Sequence, residues 1–230
     1  MSEMKITENV YLVGSAELSG GGDCMVYAIA VGKDEVCLID AGTENADAIL
    51  ANIQTTPLGS RKIAHLILTH CHFDHIGAAH QFKRLCPGLK VYAHSWDREA
   101  IEGKPHAEAM TAASWYGSTL IPVKVDVVFT QAREVINLGG THLTILHIPG
   151  HTPGSIAITV KDEGKLILFA QDVHGPFVAE FKSNIQDWAN SMKMLLALEA
   201  DILCEGHYGI YPEKERAKKF IESQLKANGF

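Results

Sequence analysis

Ala64-His65-Leu66-Ile67-Leu68-Thr69-His70-Cys71-His72-Phe73-Asp74-His75 is the stretch that decides how this chain reads. Its first five residues have the pattern of a buried strand, and its last six carry three imidazoles and a carboxylate. The cluster therefore sits where a strand ends and a loop begins. Imidazole and carboxylate are the ligands that suit Zn²⁺, Fe²⁺ or Mn²⁺. The spacing H-x-H-x-D-H should arise by chance only ~0.002 times in a chain of this composition, so a histidine-rich loop with no metal role is the weaker reading. Side-chain direction alternates along an extended loop. His70 and His72 then point the same way and can grip one metal, while Cys71 turns away into packing. Asp74 and His75 stand together at an expected helix start, face elsewhere and suit a second metal. Asp74 is also positioned to cap that helix and to complement its positive end.

The rest of the chain sets bounds on what this stretch can serve. The protein has 230 residues, of which 47% are hydrophobic and 20% charged. That is ordinary for a soluble globular protein and enough to bury a core without disulfides. A formal charge of −7 and a pI near 5.9 speak against nucleic-acid binding, which calls for a basic patch. Met1–Lys5 has no basic segment leading into an apolar run, and no apolar stretch approaches a membrane span. The five cysteines are odd in number and lack C-x-x-C spacing, which fits reduced thiols in a cytoplasm. We therefore expect a cytoplasmic protein with a small-molecule substrate and neither a nucleic-acid nor a membrane partner.

In order, Val10–Val13, Met25–Val31 and Val36–Ile39 read as an antiparallel meander, with Ser19–Asp23 and Gly32–Asp34 as its turns. A helix is expected over Glu44–Thr55, a strand over Ala64–Leu68, one helix over Asp74–Leu85 and a strand over Leu89–Ala93. Residues 95–120 read as an excursion over the core, perched there as a lid; Trp115-Tyr116 suits either a substrate pocket or a homodimer interface. Strands follow at Val123–Phe129, Glu134–Asn137, His142–Ile148, Ser155–Val160 and Leu166–Ala170. Then come a helix over Asn184–Ala197, a strand at Ile202–Cys204 and a last helix from Glu213 to about Lys226. No linker or repeat divides the chain, so residues 1–230 read as a single domain.

The opening loop supplies four ligands, too few for two catalytic metals. Three later positions each place a His or Asp in a glycine-containing loop just after an expected strand. They are His151 in Pro149-Gly150-His151-Thr152-Pro153-Gly154-Ser155, Asp172 in Gln171-Asp172-Val173-His174-Gly175, and His207 in Glu205-Gly206-His207-Tyr208-Gly209. With Asp40-Ala41-Gly42 and the opening loop, this ordered set resembles the metallo-β-lactamase superfamily from about residue 10 to residue 210. The resemblance implies an α/β fold: a four-layer αββα sandwich of two mixed β-sheets with outer helices. It implies one metal on His70, His72 and His151, a second on Asp74, His75 and His207, and Asp172 between them. Asp40 would support the site without being a ligand. His174 and Tyr208, beside two of these ligands, are candidate substrate contacts. His65, His80, His94, His106, His142 and His147 read as structural or surface groups.

A metal core does not by itself specify a substrate. The complete Asp74-His75 pair resembles the glyoxalase II and lactonase branch, because β-lactamases proper usually lack that pair and are exported. One helix is expected after His207, less than the C-terminal helical domain of glyoxalase II, although Lys218 and Lys219 offer positive charge. Gly175 stands where acyl-homoserine lactonases carry a tyrosine. No extra arm of the tRNA-processing nucleases is visible, and His72 stands where flavodiiron members carry a glutamate. The reading is a hydrolase with two divalent ions, Zn²⁺ before Fe²⁺ or Mn²⁺. They would share a water of lowered pKa that attacks a small ester, thioester or lactone, with Asp74 orienting it or carrying a proton. The alternatives are a mononuclear iron oxidoreductase of the sulfur-dioxygenase kind, a phosphodiesterase of the same fold, and a non-enzymatic metal-binding or nucleotide-sensing module.

Overall fold

Val26–Val31 is buried at all six positions, where a half-exposed strand would alternate. Both of its faces are covered. Tyr27, Ile29 and Val31 point into one apolar cluster, while Val26, Ala28 and Ala30 point into another. The computed structural model describes residues 4–230 and repeats this logic across two sheets.

The first sheet has the order β1 (Val10–Gly14), β2 (Val26–Val31), β3 (Glu35–Ile39), β4 (Lys62–Ile67), β5 (Lys90–His94) and β6 (Val127–Phe129). β1 to β3 form the expected antiparallel meander, and β3 to β6 run parallel. Parallel neighbours need crossovers, supplied by α1 (Ala46–Gln54), α2 (Phe73–Ile76) with α3 (Ala79–Leu85), and α4 (Ser95–Ile101). The second sheet contains β7 (Arg133–Leu138), β8 (Thr141–His147), β9 (Ile156–Asp162), β10 (Lys165–Ala170), β11 (Ile202–Cys204) and β12 (Ile210–Tyr211). Only its β10–β11 pair is parallel, bridged by α5 (Ile185–Ala197); α6 (Lys214–Ala227) follows β12.

Three apolar layers hold these elements together. Ile29, Ile39, Ile67 and Phe129 of the first sheet meet Ile145, Ile158, Ile167 and Phe169 of the second. Ile49, Phe82 and Ile101 cover the outer face of the first sheet, and Trp188, Met192, Leu195 and Ile221 cover that of the second. The architecture is the four-layer αββα sandwich of two mixed sheets.

Some local expectations need correction. The single helix over 74–85 is two helices. The carbonyls of Asp74 and His75, which a continuing helix would use, accept from Cys24 N at 3.3 Å and Ala41 N at 2.8 Å, and Ala78 N donates to Gly42 O at 3.1 Å. Only glycine fits at this break, since a Cβ on Gly77 would lie 2.0 Å from the Thr43 carbonyl oxygen. Asp74 is not the cap: His72 occupies that position, and the Asp74 carboxylate turns to the loop cluster instead. Of Val123–Phe129 only Val127–Phe129 is strand. Val123 N and Val125 N donate to the Ile101 carbonyl and the Glu102 carboxylate at the end of α4 rather than to a sheet. Residues 106–116 form 3₁₀ turns, and the short strand β12 had no clear sequence signal.

Trp188 joins the outer layer to the loops above it. It is 1% exposed, packs on Phe177 and donates from Nε1 to the Val173 carbonyl at 2.9 Å. Trp188→Ala should lower the unfolding free energy by about 3–5 kcal/mol, read as a reduced urea midpoint with an unchanged m-value.

Candidate metal centre

The seven residues singled out in the sequence lie at one edge of the sandwich, where strands of both sheets end, Asp74 and His75 on the short helix α2 and the other five in loops. Two backbone bonds join the sheets there: Ile156 N to Thr69 O at 2.8 Å, and Met25 N to Gly206 O at 2.7 Å. Three buried carboxylates then fix the loops. Asp40, with φ at 62°, accepts from Thr69 N and Thr69 Oγ1 at 2.7 Å each and meets His75 Nδ1 at 2.8 Å. Aspartate is among the few residues that adopt this left-handed conformation readily. Asp97 accepts from Cys71 N at 3.0 Å, Thr152 Oγ1 at 2.6 Å and Gly154 N at 2.7 Å, tying the His70–His75 loop to the His151 loop. Glu205 accepts from His207 N at 2.6 Å and Tyr208 N at 2.8 Å and meets His174 Nδ1 at 2.7 Å.

The side chains converge in two groups that share one residue. His70, His72, His151 and Asp172 form the first, and Asp74, His75, Asp172 and His207 the second; within each group one ligand atom per residue lies within 4.8 Å of the others. Asp172 divides its oxygens between them. Its Oδ2 lies 3.3 Å from His151 Nε2 and 3.6 Å from His70 Nε2, while Oδ1 lies 3.2 Å from both His75 Nε2 and His207 Nε2. His72 Nδ1 faces His151 Nε2 at 2.9 Å, and Asp74 Oδ2 is 3.1 Å from His207 Nε2. Alternation along the loop thus brings His70 and His72 together, with Cys71 directed to the Met110 carbonyl.

This donor set fits a cation. His75 Nδ1 is turned to Asp40 and His151 Nδ1 to the Pro176 carbonyl at 3.0 Å, which leaves their Nε2 atoms facing inward. His70 Nε2 and His72 Nε2 are buried without a hydrogen-bond partner among the described residues. Unpartnered buried acceptors are costly, and a metal ion is the partner that suits imidazole and carboxylate together.

The two groups differ electrostatically. Burial and neighbouring imidazoles hold His70 and His72 well below the usual histidine pKa. Burial opposes charge on His75 too, but the Cys24 thiol and the Asp172, Asp74 and Asp40 carboxylates outweigh it and raise its pKa well above normal. His207 is pushed up to about 10, because Asp172 and Asp74 overcome its burial. Asp172 is held well below the carboxylate range, since His75 and His207 overcome its own burial. Without a cation, His70 and His72 are uncharged, while His75 and His207 hold protons.

A cavity of about 320 Å³ opens onto the groups. His174 and Tyr208 line it, as do Trp115, Tyr116 and Phe181. Trp115 and Tyr116 therefore form pocket wall. No lysine or arginine lines this cavity. The histidines set aside in the sequence join neither group; His94 stacks on His147 at 3.9 Å, and His65 meets the Tyr92 hydroxyl at 2.8 Å. Sequence reasoning missed Asp97, which lies in the 95–120 stretch read as an excursion over the core, and Glu205, whose nearness to His207 was the one available signal.

A family model described as the metallo-beta-lactamase superfamily matches residues 19–207. The chain is 30% identical over 202 residues to the hydroxyacylglutathione hydrolase GloC of Haemophilus influenzae, covering 84% of this chain and 90% of that one. It is also 30% identical over 164 residues to the acyl-coenzyme A thioesterase MBLAC2 of Homo sapiens, covering 63% of this chain and 56% of the relative. Among solved structures, a class B3 di-zinc metallo-β-lactamase from an Alaskan soil metagenome superposes with a TM-score of 0.76 at 26% identity, covering 97% of this chain and 90% of that one.

Asp97 carries the clearest structural test of the centre. Burial raises its pKa, and hydrogen bonds from Thr152, Gly154 and Cys71 oppose that rise. Asp97→Ala leaves Cys71 N and Gly154 N unpaired and takes from Thr152 Oγ1 all but its contact with Ser155 Oγ, so a loss of about 3 kcal/mol or more is expected in denaturant unfolding. Bound metal should fall with it, because the His151 loop is no longer tied to the His70–His75 loop.

Proposed function

The chain belongs to the metallo-β-lactamase superfamily and is a metal-dependent hydrolase; we propose that it is dinuclear and acts on a small ester, thioester or lactone. The observation that carries this reading is the division of the Asp172 oxygens between two groups of inward-facing donors. His70, His72 and His151 would hold one divalent ion and Asp74, His75 and His207 the other, with Asp172 reaching both. Zn²⁺ is favoured by the imidazole-rich donor set and by the di-zinc relative. When bound, such ions lower the pKa of a water toward neutrality and polarise the carbonyl that it attacks.

The protein's own groups do the rest. Asp74 lines the cavity beside His207 and is suited to orient the nucleophile or carry a proton to the leaving group. Asp40 fixes the ring of His75, and Glu205 fixes the ring of His174, whose other nitrogen is left to contact substrate. Trp115, Tyr116 and Phe181 shield the centre from bulk water. The names of the two relatives, a hydroxyacylglutathione hydrolase and an acyl-coenzyme A thioesterase, favour thioesters among the three substrate classes. The five free cysteines and the acidic charge support a cytoplasmic setting and a small-molecule substrate. No helix among the described residues is long and apolar enough to cross a membrane.

The single-metal iron reading draws on an asymmetry between the groups: burial holds His70 and His72 uncharged, while His75 and His207 hold protons that a second ion has to displace. Metal content separates the two. Protein purified without added metal should carry two ions per chain and hydrolyse thioesters or esters in a substrate panel. His72→Ala should empty the first group, and His75→Ala should mainly weaken the second. One iron per chain with oxygen consumption on a persulfide would overturn the hydrolase.

Loading should also move protons. In the metal-free protein His75 and His207 have raised pKa values and are charged at neutral pH. Ligation must expel those protons, so affinity of the second group should fall as the pH falls. Calorimetry in buffers of different ionisation enthalpy should register proton release at neutral pH; none is expected if the second group stays empty.

A further inference from the structure

A second cavity, of about 550 Å³, also reaches His207. It lies along β1 and the loop that follows, with Leu12, Leu18 and Met25 on its walls and Gly206 beside His207. Its polar lining groups are already bonded within the protein. Ser15 Oγ accepts from Glu17 N at 3.3 Å and Leu18 N at 3.2 Å. Asp23 accepts from Thr43 N at 2.7 Å and from Thr43 Oγ1 and Ser19 Oγ at 2.5 Å each. No lysine or arginine lines the cavity, and Glu17 stands exposed on its wall. What remains for a ligand is the aliphatic surface of Leu12, Leu18 and Met25, the Glu17 carboxylate at the rim and the His207 imidazole at the end next to the centre. Leu18 is 36% exposed there, and methionine is the side chain that adapts best to a flexible apolar chain.

We propose that this trough is an acyl-chain subsite for an unbranched, uncharged aliphatic chain. The inference rests on the hydrolase reading above and names its substrate class. His207 lines both cavities, so a substrate with its carbonyl at the His/Asp centre has one cavity on either side of that imidazole to receive its two arms. The aliphatic trough takes the acyl arm, and the wall of Trp115, Phe181 and Tyr208 takes the leaving group. In the reaction a water oxygen bonds to the acyl carbon and the carbon–sulfur or carbon–oxygen bond breaks. The leaving thiol or alcohol takes a proton, and a fatty acid remains.

The test is a series of acetyl, butanoyl, hexanoyl and octanoyl esters and thioesters of one aromatic leaving group, given to the metal-loaded protein. The value of kcat/KM should rise about fourfold per methylene until the trough is filled. Leu18→Asp and Ala16→Asp, both at exposed positions and checked for folding by circular dichroism, should each lower the octanoyl-to-acetyl ratio at least tenfold. A flat series, or a ratio unchanged in both variants, would overturn the subsite. If no member of the series is hydrolysed, the hydrolase reading fails instead. The trough is then judged on binding alone, with octanamide titrated into metal-free protein. Methyl resonances of Leu18 and Met25 should shift, and their constancy would overturn the trough.

Discussion

Five imidazoles and two carboxylates face one another at this centre, and something has to hold them there. Three other carboxylates do so. Asp40, Asp97 and Glu205 are 0%, 1% and 0% exposed, and each is surrounded by three donors drawn from the loops that carry the ligands. A buried carboxylate is tolerable only when so satisfied, and breaking one such set leaves several orphaned groups at once. The arrangement is therefore stiff before any metal arrives, as a preorganised centre requires.

Each half of the centre also draws on both sheets. His70, His72, Asp74 and His75 follow β4 in the first sheet, while His151, Asp172 and His207 follow β8, β10 and β11 in the second. Neither group is complete until the sheets have packed through Ile29, Ile67, Ile158 and Phe169. A cation held by either group would couple its binding to the stability of the fold for this reason. The same edge leaves two cavities lined by His207, one with aromatic and one with aliphatic walls, and neither with a lysine or arginine among the described residues.

Much of this was legible in the sequence because it depends on short-range periodicity. Alternation along an extended loop is enough to separate His70 and His72 from Cys71, and strand patterns followed by His or Asp mark the three later residues of the cluster. What was illegible depends on tertiary partners. Asp97 looks like a surface helix residue until the loops of Cys71 and Thr152 fold over it. Asp74 looks like a cap because a cap and a ligand have the same side chain. The break after Ile76 comes from carbonyls captured by Cys24 and Ala41, far away in sequence. The cavity walls likewise combine Trp115 with Phe181, whose rings lie 4.9 Å apart although 66 residues separate them in the chain.

The central claim is a pair of metals divided by Asp172, and anomalous diffraction from crystals of zinc-loaded protein at the zinc absorption edge tests it most directly. Two separate peaks are expected, one among His70, His72 and His151 and one among Asp74, His75 and His207, with an Asp172 oxygen beside each. A single peak at full zinc loading, or a second peak away from these side chains, would contradict it.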